Sequence, residues 1–135
     1  MAKSFRELKV WKKAVDLALL VYEITAQFPK QETYGLSSQM QRASVSIASN
    51  IAEGSARGTR RDFRQFVKLA EGSNCELQTQ LLIARRLRYA SGEKCDVLDG
   101  LSDEVGKMLT ALSKYLTQEI RAAALTRIGP CPTNT

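Results

Sequence analysis

Histidine is absent from the 135 residues, and that one fact decides most of the available chemistry. Without imidazole the chain has no Ser-His or Cys-His nucleophile pair and no His-ligated metal. The three cysteines, Cys75, Cys95 and Cys131, are odd in number and follow no C-x-x-C spacing. That excludes a zinc ribbon and a paired disulfide framework, and suits a reducing compartment. Carboxylates, amides and hydroxyls remain. Gln39, Arg42, Ser46, Asn50 and Glu53 recur at helical spacing, and Glu71, Ser73, Asn74 and Glu76 offer partners further along. Glu53, Glu71 and Glu76 are the residues a carboxylate metal site would use, but the Glu-x-x-His pairs of di-iron bundles are impossible here. The two rows therefore read as a polar seam between helices, with Arg42 paired to a carboxylate, because buried polar groups are costly unless satisfied. No catalytic residue, metal ligand or cofactor is expected, and the chain reads as non-enzymatic.

Cations supply the second chemistry. Lys and Arg number 20 against 14 Asp and Glu, for a net charge of +6. The excess is uneven: residues 59–92 carry seven basic against three acidic side chains, whereas 93–135 carry five against six. Placed at about 100° per residue, Arg60, Arg61, Arg64, Lys68 and Arg86 share roughly one quadrant of a helix. Arg57 before it, and Arg85 and Arg88 at its far end, extend the set. Guanidinium groups in a row suit the phosphates of RNA or DNA, although Asp62 and Glu71 interrupt the surface and no aromatic residues interleave for base stacking. A solvated charged face without a ligand is the alternative, and with it a protein-interaction scaffold that binds no nucleic acid.

Positioning these residues takes helices. Prolines occur only at 29, 130 and 132, leaving about a hundred residues without that helix breaker. A first helix is expected from Ser4, with Glu7 at capping-box spacing, to Phe28 before Pro29. Leu36, Met40, Ala43, Ile47, Ile51 and Gly54 mark a second over 36–56. Thr59 and Asp62 cap a third, whose stripe of Phe63, Phe66, Ala70, Leu77, Leu81 and Ala84 carries it to about Ala90. Ser91 and Gly92 break it. The fourth places Leu98, Leu101, Val105, Met108, Leu112 and Tyr115 at three-four spacing and fades after Ile120. No alternating strand pattern and no internal repeat is found. The expectation is an all-α, up-down-up-down antiparallel four-helix bundle, one domain over 1–125 with a flexible tail over 126–135. The N-terminus lacks the apolar run of a signal peptide and the densest apolar stretch, 14–22, contains Asp16, so a cytoplasmic protein without membrane contact is expected.

Two helices carry more apolar surface than one bundle needs. The first has a stripe of Trp11, Val15, Ala18, Leu19 and Tyr22 and another of Val10, Ala14, Leu17, Val21, Ile24 and Phe28. The second stripe is expected to lie beyond the reach of a single core. Val45, Ala48 and Ala52 repeat the pattern on the second helix. Large apolar patches are rare on soluble monomers, so a ring-like homo-oligomer is expected.

The residues so far also carry a resemblance. Phe5-Arg6-Glu7-Leu8-Lys9-Val10-Trp11, Tyr34-Gly35-Leu36 with Gln39, Arg42-Ala43, Ser46-Ile47, Asn50-Ile51-Ala52-Glu53-Gly54, Phe63, Phe66 and Ala70-Glu71-Gly72-Ser73 stand in one order over residues 5–116. That order resembles the 23S rRNA intervening-sequence proteins, also called four-helix bundle proteins. The resemblance implies a homopentamer, and a fold similar to the basic, pentameric accessory proteins of diversity-generating retroelements. Those associate with a reverse transcriptase and nucleic acid, which makes both, or another protein, candidate partners. The family name reflects where some of its genes lie and does not itself imply binding to ribosomal RNA.

Overall fold

The computed structural model describes residues 4–128. Ser4 Oγ accepts the Arg6 N–H at 3.2 Å and caps a 3₁₀ turn, Phe5–Glu7. Leu8 is extended and resets the backbone before helix α1, Lys9–Thr25. The cap at Ser4 thus serves this turn and not the long helix expected from it. The turn is held down by the Phe5 ring, edge-on to Trp11 with centroids 5.1 Å apart. At its other end α1 stops three residues short of Phe28. Gln27 and Phe28 donate to the carbonyls of Ile24 and Thr25, tightening the chain into a turn before Pro29.

Residues 29–35 hold a second 3₁₀ turn, Lys30–Glu32, and α2 then runs Leu36–Ala56, as its spacing predicts. Gly35 has no side chain to cap α2; the Glu32 carboxylate does so instead, accepting the Leu36 N–H at 3.1 Å. Helix α3, Arg60–Arg86, is capped as expected: Thr59 Oγ1 accepts the Asp62 N–H at 3.1 Å. It ends earlier than Ala90, because Arg88 adopts a left-handed conformation (φ 59°) that turns the chain. Ser91 is a start as well as a stop, its Oγ accepting the Lys94 N–H at 3.2 Å. Helix α4 follows over Gly92–Ile128. Its last turn includes residues 126–128 of the expected tail; the remainder of that tail, with Cys131, lies outside the described residues.

Each helix packs on its neighbour in sequence, and α1 closes the square against α4, so that the described residues form an all-helical four-helix bundle. The core stripe of α1 is Val10, Ala14, Leu17, Val21 and Ile24, continued by Phe28. This reverses the expectation: that stripe fills the bundle, while Leu19 (64% exposed) and Tyr22 (49%) of the other stripe face outward. On α2, Met40, Ala43, Ile47, Ile51 and Gly54 are buried, Ala48 packs against the core and Val45 is exposed. Helix α4 departs by one position. Cys95, Leu98, Ser102, Val105, Leu109 and Leu116 are buried, whereas Leu101, Met108 and Leu112 lie half-buried beside them and Tyr115 is exposed.

Candidate nucleic-acid interface

The expected seam divides. Ser46 of α2 and Ser73 of α3 meet at 2.9 Å between hydroxyls, and Asn50 Nδ2 donates to both the carbonyl (2.8 Å) and the hydroxyl (2.9 Å) of Ser46. These three are a polar contact between α2 and α3. Gln39, Arg42, Glu53 and Glu76 are exposed instead. Glu53 pairs with Arg57 on its own helix (2.9 Å), and Glu71 turns toward α4, accepting from Thr110 at 3.2 Å. Arg42 lines a groove between α1 and α2 with Tyr22, Ser38, Gln41, Val45 and Ser46, and pairs with no carboxylate among the described residues. All five residues of the α2 row share an arc of about 80°, yet only Ser46 and Asn50, near the middle of the helix, lie half-buried in the contact with Ser73 of α3; the rest of the face is open to solvent.

The deepest polar contact is elsewhere. Asn74 and Ser102 are both buried; Ser102 Oγ donates to Asn74 Oδ1 at 2.7 Å and Asn74 Nδ2 donates to the Ser102 carbonyl at 3.0 Å. The signal for Ser102 was its place at core spacing between Leu98 and Val105. Among the described residues no three of His, Cys, Asp and Glu are placed to hold a metal ion.

The basic side chains fall into two groups. Arg57, Arg60, Arg61, Arg64 and Lys68 lie about the first turns of α3, while Arg85, Arg86 and Arg88 lie at its end. Arg61 and Arg86 are 25 residues apart, about 38 Å along the helix at 1.5 Å per residue. The expected single face is therefore interrupted by a middle section bearing Gly72, Glu76 and Thr79, all exposed. Half of the cations already have carboxylate partners. Arg57 pairs with Glu53 and stacks its guanidinium 5.0 Å from the Phe66 centroid. Arg60 reaches Glu119 of α4 at 3.5 Å, Lys68 reaches Glu71 at 3.8 Å, and Arg85 holds Asp96 at 2.9 Å. Arg61, Arg64, Arg86 and Arg88 have none among the described residues.

Arg61, Arg64 and Lys68, with Asp62 and Gln65, form one wall of an open groove whose other wall is Ile120 of α4. Its volume is about 530 Å³. Steps of three and four residues place the three cations on successive turns about 5 Å apart, aligned along one edge. Such a groove offers charge to a polyanion without a closed pocket for a small molecule.

A four-helix bundle with a basic groove at one end of its third helix is the class that the fold and this surface define. The chain belongs to the 23S rRNA-intervening sequence protein family, whose model matches residues 6–111. It is similar to the crystal structure of a protein with unknown function from the S23 ribosomal protein family of Bacteroides thetaiotaomicron. That similarity has a TM-score of 0.70 at 25% sequence identity and covers 78% of this chain and 98% of the other. The sequence has no match among curated proteins. No helix of the described residues is long and apolar enough to cross a membrane.

Proposed function

We propose that the protein is a non-enzymatic, ring-forming bundle that binds RNA or DNA through the first turns of α3, as an accessory to another protein. The observation that carries this reading is the alignment of Arg61, Arg64 and Lys68 along one open groove, with two of the three free of carboxylate partners. Three phosphate contacts per subunit bind weakly alone, but copies fixed in a ring act together. Ring closure is supported by the apolar side chains left outside the bundle: Leu19, Tyr22 and Val45 on α1 and α2, and Leu69 and Ile83 on α3 with Leu87 just after it. Two different faces of this kind on one subunit suit head-to-tail contacts, which close into rings. The resemblance that suggests a pentamer, and a reverse transcriptase among the partners, agrees with this reading.

Titration of labelled duplex DNA and RNA at low and moderate salt tests it. The logarithm of the binding constant is expected to fall linearly with the logarithm of salt concentration, and changing Arg61, Arg64 and Lys68 together to Ala should flatten that slope by about three per engaged subunit. Arg60 is a poor choice for this test, because Glu119 already holds it. A second reading, a protein-interaction scaffold, is favoured by the exposed apolar residues of α3. Absent or salt-independent binding would reject the first reading.

A further inference from the structure

We infer that the end of the bundle formed by residues 29–35 and 87–91 is a second nucleic-acid site, selective for single strands, in which an unpaired base stacks on Tyr34 and its phosphates meet Arg88 and Arg86. The inference rests on the nucleic-acid reading above and adds to it a place and a strand preference.

Tyr34 is 96% exposed, and its ring and hydroxyl have no partner among the described residues. A bare aromatic ring on a loop contributes nothing to this bundle. The loop that carries it is nonetheless held firmly. Glu32, two residues before, caps α2 through one carboxylate oxygen and accepts the Tyr89 hydroxyl at 2.8 Å through the other. The Tyr89 ring packs on Phe28 with centroids 5.4 Å apart. These contacts tie the α1–α2 connection to the α3–α4 turn, and so bring Tyr34 to the same end as Arg86 and Arg88. Arg88 follows α3 at φ 59°, a conformation that glycine adopts freely and other residues adopt at a cost. That conformation completes the cap of α3, with the Arg88 N–H donating to the Arg85 carbonyl and the Tyr89 N–H to the Ala84 carbonyl, both at 3.0 Å, and it leaves the Arg88 side chain exposed and without a carboxylate partner among the described residues. Lys30 is exposed on the same loop, and the nearby acids are accounted for in part: Glu32 is committed as described and Asp96 holds Arg85.

An exposed ring at the same end of a bundle as exposed guanidinium groups is the equipment of single-strand recognition, where any base offers a face to stack and the cations follow the backbone. A duplex keeps its bases stacked on one another and presents no such face. The helix 3 arginines lacked an aromatic partner in sequence, and the topology supplies one from a loop about fifty residues away.

The test uses the full chain and three fluorescent probes: a 20-nucleotide oligodeoxythymidine, the matching oligouridine and a duplex DNA of the same length. Tyr34→Ala should weaken binding of a single-stranded probe by about 5- to 100-fold and leave the duplex unaffected, and Tyr34→Trp should restore it. Because the ring is exposed, helical content by circular dichroism should not change. The two single strands compared report whether RNA or DNA is preferred. If Tyr34→Ala binds single strands like the parent while the Arg61/Arg64/Lys68 variant loses all binding, this site is overturned and the groove stands. If the parent binds none of the probes, both readings fall.

Discussion

Gly54 of α2 lies so close to Phe66 of α3 that a Cβ at position 54 would stand 2.5 Å from the Phe66 Cβ, and 3.3 Å from the Phe63 carbonyl oxygen. The obstacle is the root of a side chain and a backbone atom, neither of which can swing away. Gly54→Ala sets a helix-propensity gain of about 1 kcal/mol against overpacking of about 1–3 kcal/mol, and at 2.5 Å the second should win. Chemical denaturation is expected to show a lower midpoint with an unchanged slope.

The Asn74–Ser102 pair should behave as a unit. Replacing Asn74 with Ala strands the Ser102 hydroxyl in the core at a cost of about 1–3 kcal/mol, and removes packing opposite Gly106. Thermal melting should fall by several degrees, about 3–6 °C per kcal/mol for a chain of this length. In a double-mutant cycle with Ser102→Ala, the combined loss should be clearly smaller than the two single losses added together.

Stability should depend on pH at both limits through Glu32 and Tyr89. The Leu36 N–H, and after it the Tyr89 hydroxyl, hold the Glu32 carboxyl below its ordinary value of 4.5. A carboxyl with a lowered folded-state pKa stabilises the fold above the ordinary value, and this contribution is lost as pH falls through the lowered one. The hydrogen bond to Glu32 first raises the Tyr89 pKa above 10.0, so its contribution is present below that value and lost as pH rises through the raised one. Melting temperatures between roughly pH 3 and 11 should show both limbs. Tyr89→Phe should remove the alkaline limb assigned to this residue and keep most of the acid one, since the helix cap remains.

Substitutions at Gly72 test whether copies meet on the exposed face of α3. It sits mid-helix in α3, exposed, with no atom within 4 Å of a Cβ built on it. Gly72→Ala should therefore stabilise the isolated subunit by about 0.5–1 kcal/mol. If copies close against this face, Gly72→Trp should release subunits of about 15 kDa in sedimentation without loss of helix. An unchanged oligomer would place the contact on another face.

Periodicity carried the architecture well because local rules set it: Thr59 and Asp62 cap α3 where expected, and the 36–56 stripe is α2 residue for residue. It failed where tertiary contacts choose between adjacent arcs of one helix. Both stripes of α1 are apolar, and the positions of α2 and α4 decide that Leu17 is inside and Leu19 outside. On α4 the stripe through Leu101 and Tyr115 is richer in large residues than the true one, which contains Ser102 and Ser113. The hydroxyl of Ser102 is tolerated there because Asn74 answers it from another helix, a pairing that no single segment reveals. In the basic set, the helical angle of Arg60 was right, but its neutralisation by Glu119 depends on how α4 runs past α3. Tyr34 was legible only as part of a motif; that it shares an end of the bundle with Arg88 follows from the topology and the Glu32–Tyr89 bond.

The lengths of the helices differ greatly: α4 has 37 residues and α1 has 17, about 55 Å against 25 Å. Arg60, the first residue of α3, already pairs with Glu119, so the closing turns of α4 project past the start of its companion, with Leu125 71% exposed. Amide protons in those turns should exchange with solvent long before the rest, and a protease should trim the rod there while the packed body stays whole. The molecule thus has a handle that can be lost or grasped without loosening what it is attached to.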